Sequence, residues 1–207
     1  MAEIGAREET GRDAAILDVA ERLVQTRGFN GFSYADIAEE LSVTKASLHY
    51  HFPSKADLGR ALIDRYSERF GSSLDAIAAG DGAPVDALDA YAGLYADVFA
   101  QHRMCLCGML AAEYETLPVP MREAITRFFD LNEAWLATVL ARGRRERSLA
   151  FAGTPRDTAR GIIAGLEGAM LVGRANAADG GFRPAAQRLV RSLAGAPARK
   201  AAARQTG

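Results

Sequence analysis

GFNGFSYADIAEELSVTKASLHYHFPSKADLGRALID, residues 28–64, decides how this chain is read. Ser33 is a good N-cap, and Ile37, Ala38 and Leu41 after it share one face of a short helix. Ser42 and Val43 allow only a tight connection before Thr44, a second N-cap, opens a helix of barely two turns that ends near Phe52 and Pro53. Leu48 and Phe52, four apart, can close with Ile37 and Leu41 on a preceding helix, expected from about Arg12 to Thr26. That helix offers the stripe Ile16, Val19, Ala20 and Leu23, and Gly28 is placed to stop it. Ser54, Lys55, Ala56 and Asp57 have the shape of a capping box, with Asp in place of the commoner Glu, and open a long helix toward Ala79.

A two-turn helix cannot stand alone, because nucleation is costly. It is held by packing, which leaves its outward residues for contact. Two short helices in this arrangement have the form of a helix-turn-helix, in which the second enters the major groove. Thr44 brings a hydroxyl and free backbone amides to a phosphate, and Lys45 brings charge to phosphate or guanine. Ser47, His49 and Tyr50 can bond base edges or phosphates, the methyl of Ala46 suits a thymine methyl, and Lys55 can clamp the backbone. His49 and His51 are two apart, which points them to different sides of a helix, so no metal site is expected.

The run resembles the N-terminal domain of the TetR family of bacterial transcriptional regulators. The resemblance rests on the glycine and aromatic before the second helix, the I-A-x-x-L core, the V-T-K-x-x-L stretch and the closing Y-H-F-x-S-K. It implies that Thr44, Lys45, Ser47, Tyr50, His51 and Lys55 match DNA-contacting positions, with Ala46 and His49 close by and Tyr34 near the DNA backbone. The family usually has Tyr or Phe where His49 stands. A homodimer on a palindromic double-stranded operator is implied, repressing until a small-molecule effector loosens it.

Charge sharpens the expectation. The chain has 207 residues and a net charge of -1, and residues 1–66 hold eight Lys/Arg against eleven Asp/Glu. A nonspecific polycation is excluded. Residues 41–56, LSVTKASLHYHFPSKA, nevertheless contain two lysines, two histidines and no carboxylate, and DNA feels the charge at the contact face more than the chain total.

Hydrophobic residues at 49% and charged residues at 25% are ordinary for a globular protein, and no apolar run approaches the roughly 20 residues of a membrane span. The first residues, MAEIGAREETGRDAA, lack a signal-like apolar core, so a cytoplasmic location is expected. No G-x-S-x-G, phosphate loop or acid-base constellation marks an enzyme, and no cofactor is called for.

Apolar residues recur at helical spacing throughout, giving an all-α chain of about nine helices. After the turn at residues 79–84, helices are expected at 85–102, 106–116, from Pro120 to about Arg147, 158–178 and 185–193, with 148–155 a loop. The expected organisation is an N-terminal arm (1–11), a three-helix helix-turn-helix domain (12–54), a larger helical ligand-binding and dimerisation domain (55–194) and a disordered Ala/Arg-rich tail (195–207).

Tyr91, Tyr95, Phe99, Met109, Phe128 and Trp135 on the middle helices serve either as core or as the lining of an effector pocket. Glu113, Asn132 and Glu167 sit among apolar neighbours, need partners if buried, and are candidate polar ligand contacts. Gly161, Gly165 and Gly168 form a face without side chains, which with Leu189, Val190 and Leu193 suits a dimer interface built from the last two helices. Cys105 and Cys107 are too close for an easy bridge; they read as two small buried hydrophobes or, alternatively, as a redox or electrophile sensor beside His102 and Arg103. The expected mechanism is a ligand that displaces the fourth helix and changes the separation of recognition helices that sit about 34 Å apart on DNA.

Overall fold

The computed structural model describes residues 11–176 and 181–194. Among them are α1 (Gly11–Arg27), α2 (Tyr34–Leu41), α3 (Lys45–His51), α4 (Lys55–Ala79), α5 (Pro84–Ala100), α6 (Leu106–Ala112), a 3-10 turn (Tyr114–Thr116), α7 (Val119–Arg145), α8 (Pro155–Ala175) and α9 (Phe182–Arg191). Nine α-helices and no named strand occur in the described residues; Leu149 and Ala194 form one isolated antiparallel bridge. The expected arm and tail lie outside the described residues, apart from Gly11.

Two compact units emerge. One comprises residues 1–76 with 95–132, the other 77–94 with 133–207, so the unit boundaries fall within α4, α5 and α7 and not at residue 54. In the first unit, α1 packs against α2 and α6. Ile16, Ala20, Leu23 and Val24 of α1, Ile37 of α2, Leu48 of α3, and Leu58, Leu62 and Ile63 of α4 are all within 2% of full burial. Removing that apolar area from water is what holds the two-turn α3 in place. Charge pairs tie α4 to α1: Arg65 Nη2 lies 2.9 Å from Asp18 and 3.2 Å from Glu21, and Arg69 Nη2 lies 2.5 Å from Glu21.

The loop between α1 and α2 needs its glycines. Gly28 takes φ +83°, the left-handed region that ends a helix without a Cβ penalty, and a Cβ on Gly31 would sit 2.3 Å from the Arg27 carbonyl oxygen.

In the second unit α8 packs on α9, with a Cβ at Gly165 only 2.8 Å from Leu189 Cδ2. Thr154 caps α8, accepting the Asp157 amide, and Pro155 occupies the first turn, so α8 starts three residues before the sequence expectation of Thr158. Leu189 meets Gly165, and Val190 and Leu193 are 1% and 9% exposed, so this edge of α9 is largely used within the chain. Other positions of α8 stay open. A Cβ at Gly161 or Gly168 would meet nothing, and Leu171 and Val172 are 57% and 62% exposed.

Candidate nucleic-acid interface

The reading head is fixed at both ends by capping. Ser33 and Asp36 form a reciprocal capping box at α2: the Ser33 amide donates to Asp36 Oδ2 at 2.8 Å, and the Ser33 hydroxyl accepts from the Ala35 amide at 3.2 Å. The Asp36 carboxyl is held below its ordinary range, first by the Ser33 backbone and side-chain hydrogen bonds and then by the Arg27 charge. Ser42 turns left-handed (φ 52°) to end α2, and Thr44 starts α3 by accepting the Ser47 amide at 3.2 Å.

Tyr34 proves to be a clamp. It is 8% exposed, and its hydroxyl lies 2.7 Å from the Phe52 carbonyl and 2.8 Å from the Ser54 carbonyl, sharing its proton between the end of α3 and the approach to α4. Burial, and then the Asp57 charge, push its pKa up to about 12. His49 stacks on it at 4.7 Å and donates Nδ1–H to the Pro53 carbonyl at 3.0 Å. His51, half-buried, places Nδ1 2.6 Å from Asp13, which is 4% exposed, and so ties the last turn of α3 to the first turn of α1.

With those residues engaged, Thr44, Lys45, Ala46, His49 and Tyr50 remain exposed, Ser47 half so. Tyr50 stands out at 79% exposure. Lys55 does not join this face. Its ammonium donates to the carbonyls of Phe29 (2.5 Å) and Phe32 and lies 4.6 and 4.2 Å from the centres of their rings. Burial lowers the Lys55 pKa, opposed by the charges of Glu113 and Asp36.

The net acidity of the head is answered locally. Asp13 meets His51, Asp18 and Glu21 meet Arg65, Asp36 meets Arg27, Glu40 meets Arg22 and Asp64 meets Arg60. Those carboxylates face arginines of α1 and α4 or, for Asp13, the His51 ring of α3, and α3 itself carries no carboxylate.

The residues expected to meet an effector fall in both units. In the first, Tyr95 and Phe128, each 2% exposed, join Tyr66 and Phe70 in a ring cluster with centroids 5.2 to 6.1 Å apart. Asn132 Nδ2 donates to the Phe128 carbonyl at 2.8 Å, while Phe99 and Met109 are half-buried. In the second, Tyr91 stacks on Trp135 at 5.7 Å, and Glu167 is half-buried. Glu113 lies apart from the ring cluster in its partners: both carboxylate oxygens face the amides of Phe29 and Asn30. Cys105 and Cys107 are 1% and 0% exposed, and the Tyr66 hydroxyl lies 3.8 Å from Cys105 Sγ. No group of three or more His, Cys, Asp or Glu side chains suited to a metal ion occurs among the described residues, and no helix there is long and apolar enough to cross a membrane.

A capped helix pair that offers an acid-free, outward-facing second helix, carried on a larger helical body, defines a helix-turn-helix DNA-binding regulator. Residues 16–62 match the sequence model of the bacterial regulatory proteins of the tetR family. The transcriptional repressor NemR of Escherichia coli K12 is 30% identical over 160 residues, 75% of this chain and 80% of NemR. A TetR-family regulator structure from Agrobacterium tumefaciens superposes with a TM-score of 0.83 at 32% identity, covering 87% of this chain and 96% of that one. The reduced form of E. coli NemR superposes with a TM-score of 0.77 at 28% identity, covering 89% and 97%. The chain belongs to the TetR family of bacterial transcriptional regulators.

Proposed function

We propose that this regulator is a homodimeric repressor that reads a palindromic operator through Thr44, Lys45, Ala46, Ser47, His49 and Tyr50, and that a small-molecule effector releases it. The observation that carries the reading is the exposure of Tyr50, 79%, on a two-turn helix whose two histidines are tied to Pro53 and Asp13 while Lys45 stays exposed beside it. Tyr50 touches the His51 ring edge-on at 5.4 Å but leaves most of its surface outside, and it combines a hydroxyl with a flat apolar face suited to a groove. Lys45 and the Thr44 cap give phosphate contacts, and the Nδ1 contact between His51 and Asp13 fixes the last turn of α3 that carries Tyr50. Lys55 acts indirectly, by shaping the loop before α2.

The open face of α8, with Gly161 and Gly168 flush and Leu171 and Val172 exposed, supports dimerisation through that face. The ring cluster of Tyr66, Phe70, Tyr95 and Phe128 supports an effector with apolar or aromatic surface, with Asn132 as a polar neighbour. The role is regulatory and not catalytic, since the relatives carry regulator or repressor names.

The test is selection from a random double-stranded pool. The protein should enrich a two-fold symmetric sequence with half-site centres about 10 base pairs apart. Enrichment of no sequence, or of single asymmetric sites, contradicts the reading.

A second version, in which thiol chemistry at Cys105 triggers release, is supported by the contact between Cys105 Sγ and the Tyr66 hydroxyl within the ring-bearing core, and by the redox state named for the NemR structure. Burial of both thiols slows any reagent. If Cys105→Ser with Cys107→Ser keeps operator binding and is released by thiol reagents as the parent is, this version fails.

A further inference from the structure

The loop between α1 and α2 is built as an anion socket, and the chain fills it with its own carboxylate. Gly28 at φ +83° leads into the amides of Phe29 and Asn30. Phe29 N–H donates to Glu113 Oε2 at 2.6 Å, and Asn30 N–H lies 3.3 Å from both Glu113 oxygens. The fit depends on glycine, because a Cβ at Gly28 would come 2.8 Å from Glu113 Oε1 and 3.2 Å from its carboxyl carbon. Beside it Asn30 Nδ2 donates to Thr116 Oγ1 at 2.8 Å, and that hydroxyl donates to the Glu113 carbonyl at 2.8 Å.

Phe29 is thus held by opposite charges at its two ends. Its N–H serves the carboxylate at the C-terminal end of α6, and its C=O accepts from the Lys55 ammonium at the start of α4. Charge-assisted bonds of this kind are roughly twice as strong as neutral ones. Helix α6 therefore grips the exit of α1 twice: before its start the Met104 amide donates to the Gln25 carbonyl at 3.2 Å, and at its end Glu113 takes Phe29 and Asn30. The loop so gripped runs straight into the Ser33 cap of α2.

We propose that Glu113 is the positioning residue that joins α6 to the DNA-reading head, its carboxylate seating the Phe29–Asn30 loop and so setting how α2 and α3 are presented to DNA. A shift of α6 is passed to the head at this loop, in addition to any movement of α4. The proposal rests on the DNA-regulator reading above. It assigns Glu113 to coupling and not to effector contact.

The test uses the full chain as parent, Glu113→Gln and Glu113→Ala, with a labelled duplex that the parent enriches from the random pool and a scrambled duplex beside it. Glu113→Gln, which keeps the shape and removes the charge, is expected to bind the enriched duplex on the order of tenfold more weakly, with its melting temperature within a few degrees of the parent. Amide exchange at Phe29 and Asn30 should quicken in Glu113→Ala. Formate should slow it again and restore operator affinity, measured against chloride at equal ionic strength because salt alone weakens DNA binding. Parent-like affinity in Glu113→Gln, or formate acting no differently from chloride, overturns the proposal. If the parent enriches no duplex, the DNA reading fails instead; the exchange measurement then decides the socket without DNA, unchanged Phe29 and Asn30 exchange overturning it.

Discussion

Tyr34 and Tyr50 carry the same side chain and take opposite roles. Tyr34 closes the head from within, with its hydroxyl on the carbonyls of Phe52 and Ser54, whereas Tyr50 faces outward at 79% exposure. Tyr34→Phe leaves those two carbonyls without that donor and should lower stability by about 1–2 kcal/mol. In thermal unfolding that reads as a fall of roughly 2–8 °C for a chain of this size. Tyr50→Ala should leave the melting temperature within the scatter of neutral surface changes, about 0.5 kcal/mol either way, while operator affinity drops about tenfold or more. A loss of stability in Tyr50→Ala would show that the ring packs on the head. The sequence marked the local features at this scale: the Ser33 and Thr44 caps and the outward positions of α3 follow from spacing alone. It did not mark the partners of Tyr34, Lys55 or Glu113, because each is fixed by a carbonyl or amide brought near only by the packed head. Glu113 lies 84 positions from Phe29, and its one sequence signal was a charge among apolar neighbours.

Helices α7 and α8 meet through a half-exposed charge cluster. Glu133 of α7, 7% exposed as a residue, accepts from Arg156 and, at 2.8 Å, from Arg160 Nε of α8. The Arg156 hydrogen bond, followed by that of Arg160 and the charges of both, holds the Glu133 carboxyl below its ordinary value of 4.5 against the opposing effect of burial. A carboxyl whose pKa is lower folded than unfolded adds stability above the ordinary value and loses it as pH falls through the folded one. Melting temperature should therefore fall on acidification below about pH 4.5, and Glu133→Gln should flatten that part of the profile. An unchanged acid limb in Glu133→Gln would mean the cluster contributes nothing there. At this scale the helix pattern was largely legible, and its misses are instructive. Apolar periodicity begins inside α8 and so points to a later start, while Thr154-Pro155 marks the start through capping and a preset φ. Spacing alone puts the glycines of α8 on one face. The structure divides them, Gly165 meeting Leu189 within the chain and Gly161 and Gly168 staying open, since residues three and four apart on a helix still differ by tens of degrees in direction.

Taken whole, the chain must reconcile a net charge of -1 with DNA binding. Its head matches most carboxylates with arginines or His51, so the phosphates meet an acid-free α3 and not the sum of the domain. A face that small gains enough affinity by being used twice, which makes the dimer part of the DNA site. Leu171→Glu, on the exposed face of α8, should shift the light-scattering mass from twice 22.1 kDa toward 22.1 kDa and weaken operator binding together. A variant that stays dimeric would move the interface elsewhere. Class, helix order and the DNA-reading segment were legible because caps and periodicity are local; the two compact units were not, because they divide helices that are continuous in sequence. The central claim is that sequence is read by the outward face of α3. It is tested most directly by fluorescence anisotropy of an enriched duplex and its scrambled counterpart, titrated with the parent and Tyr50→Ala at two salt concentrations. The account predicts that the parent prefers the enriched duplex at both concentrations, and that Tyr50→Ala loses most of the preference while binding the scrambled duplex as the parent does. An equal preference in both proteins would contradict it.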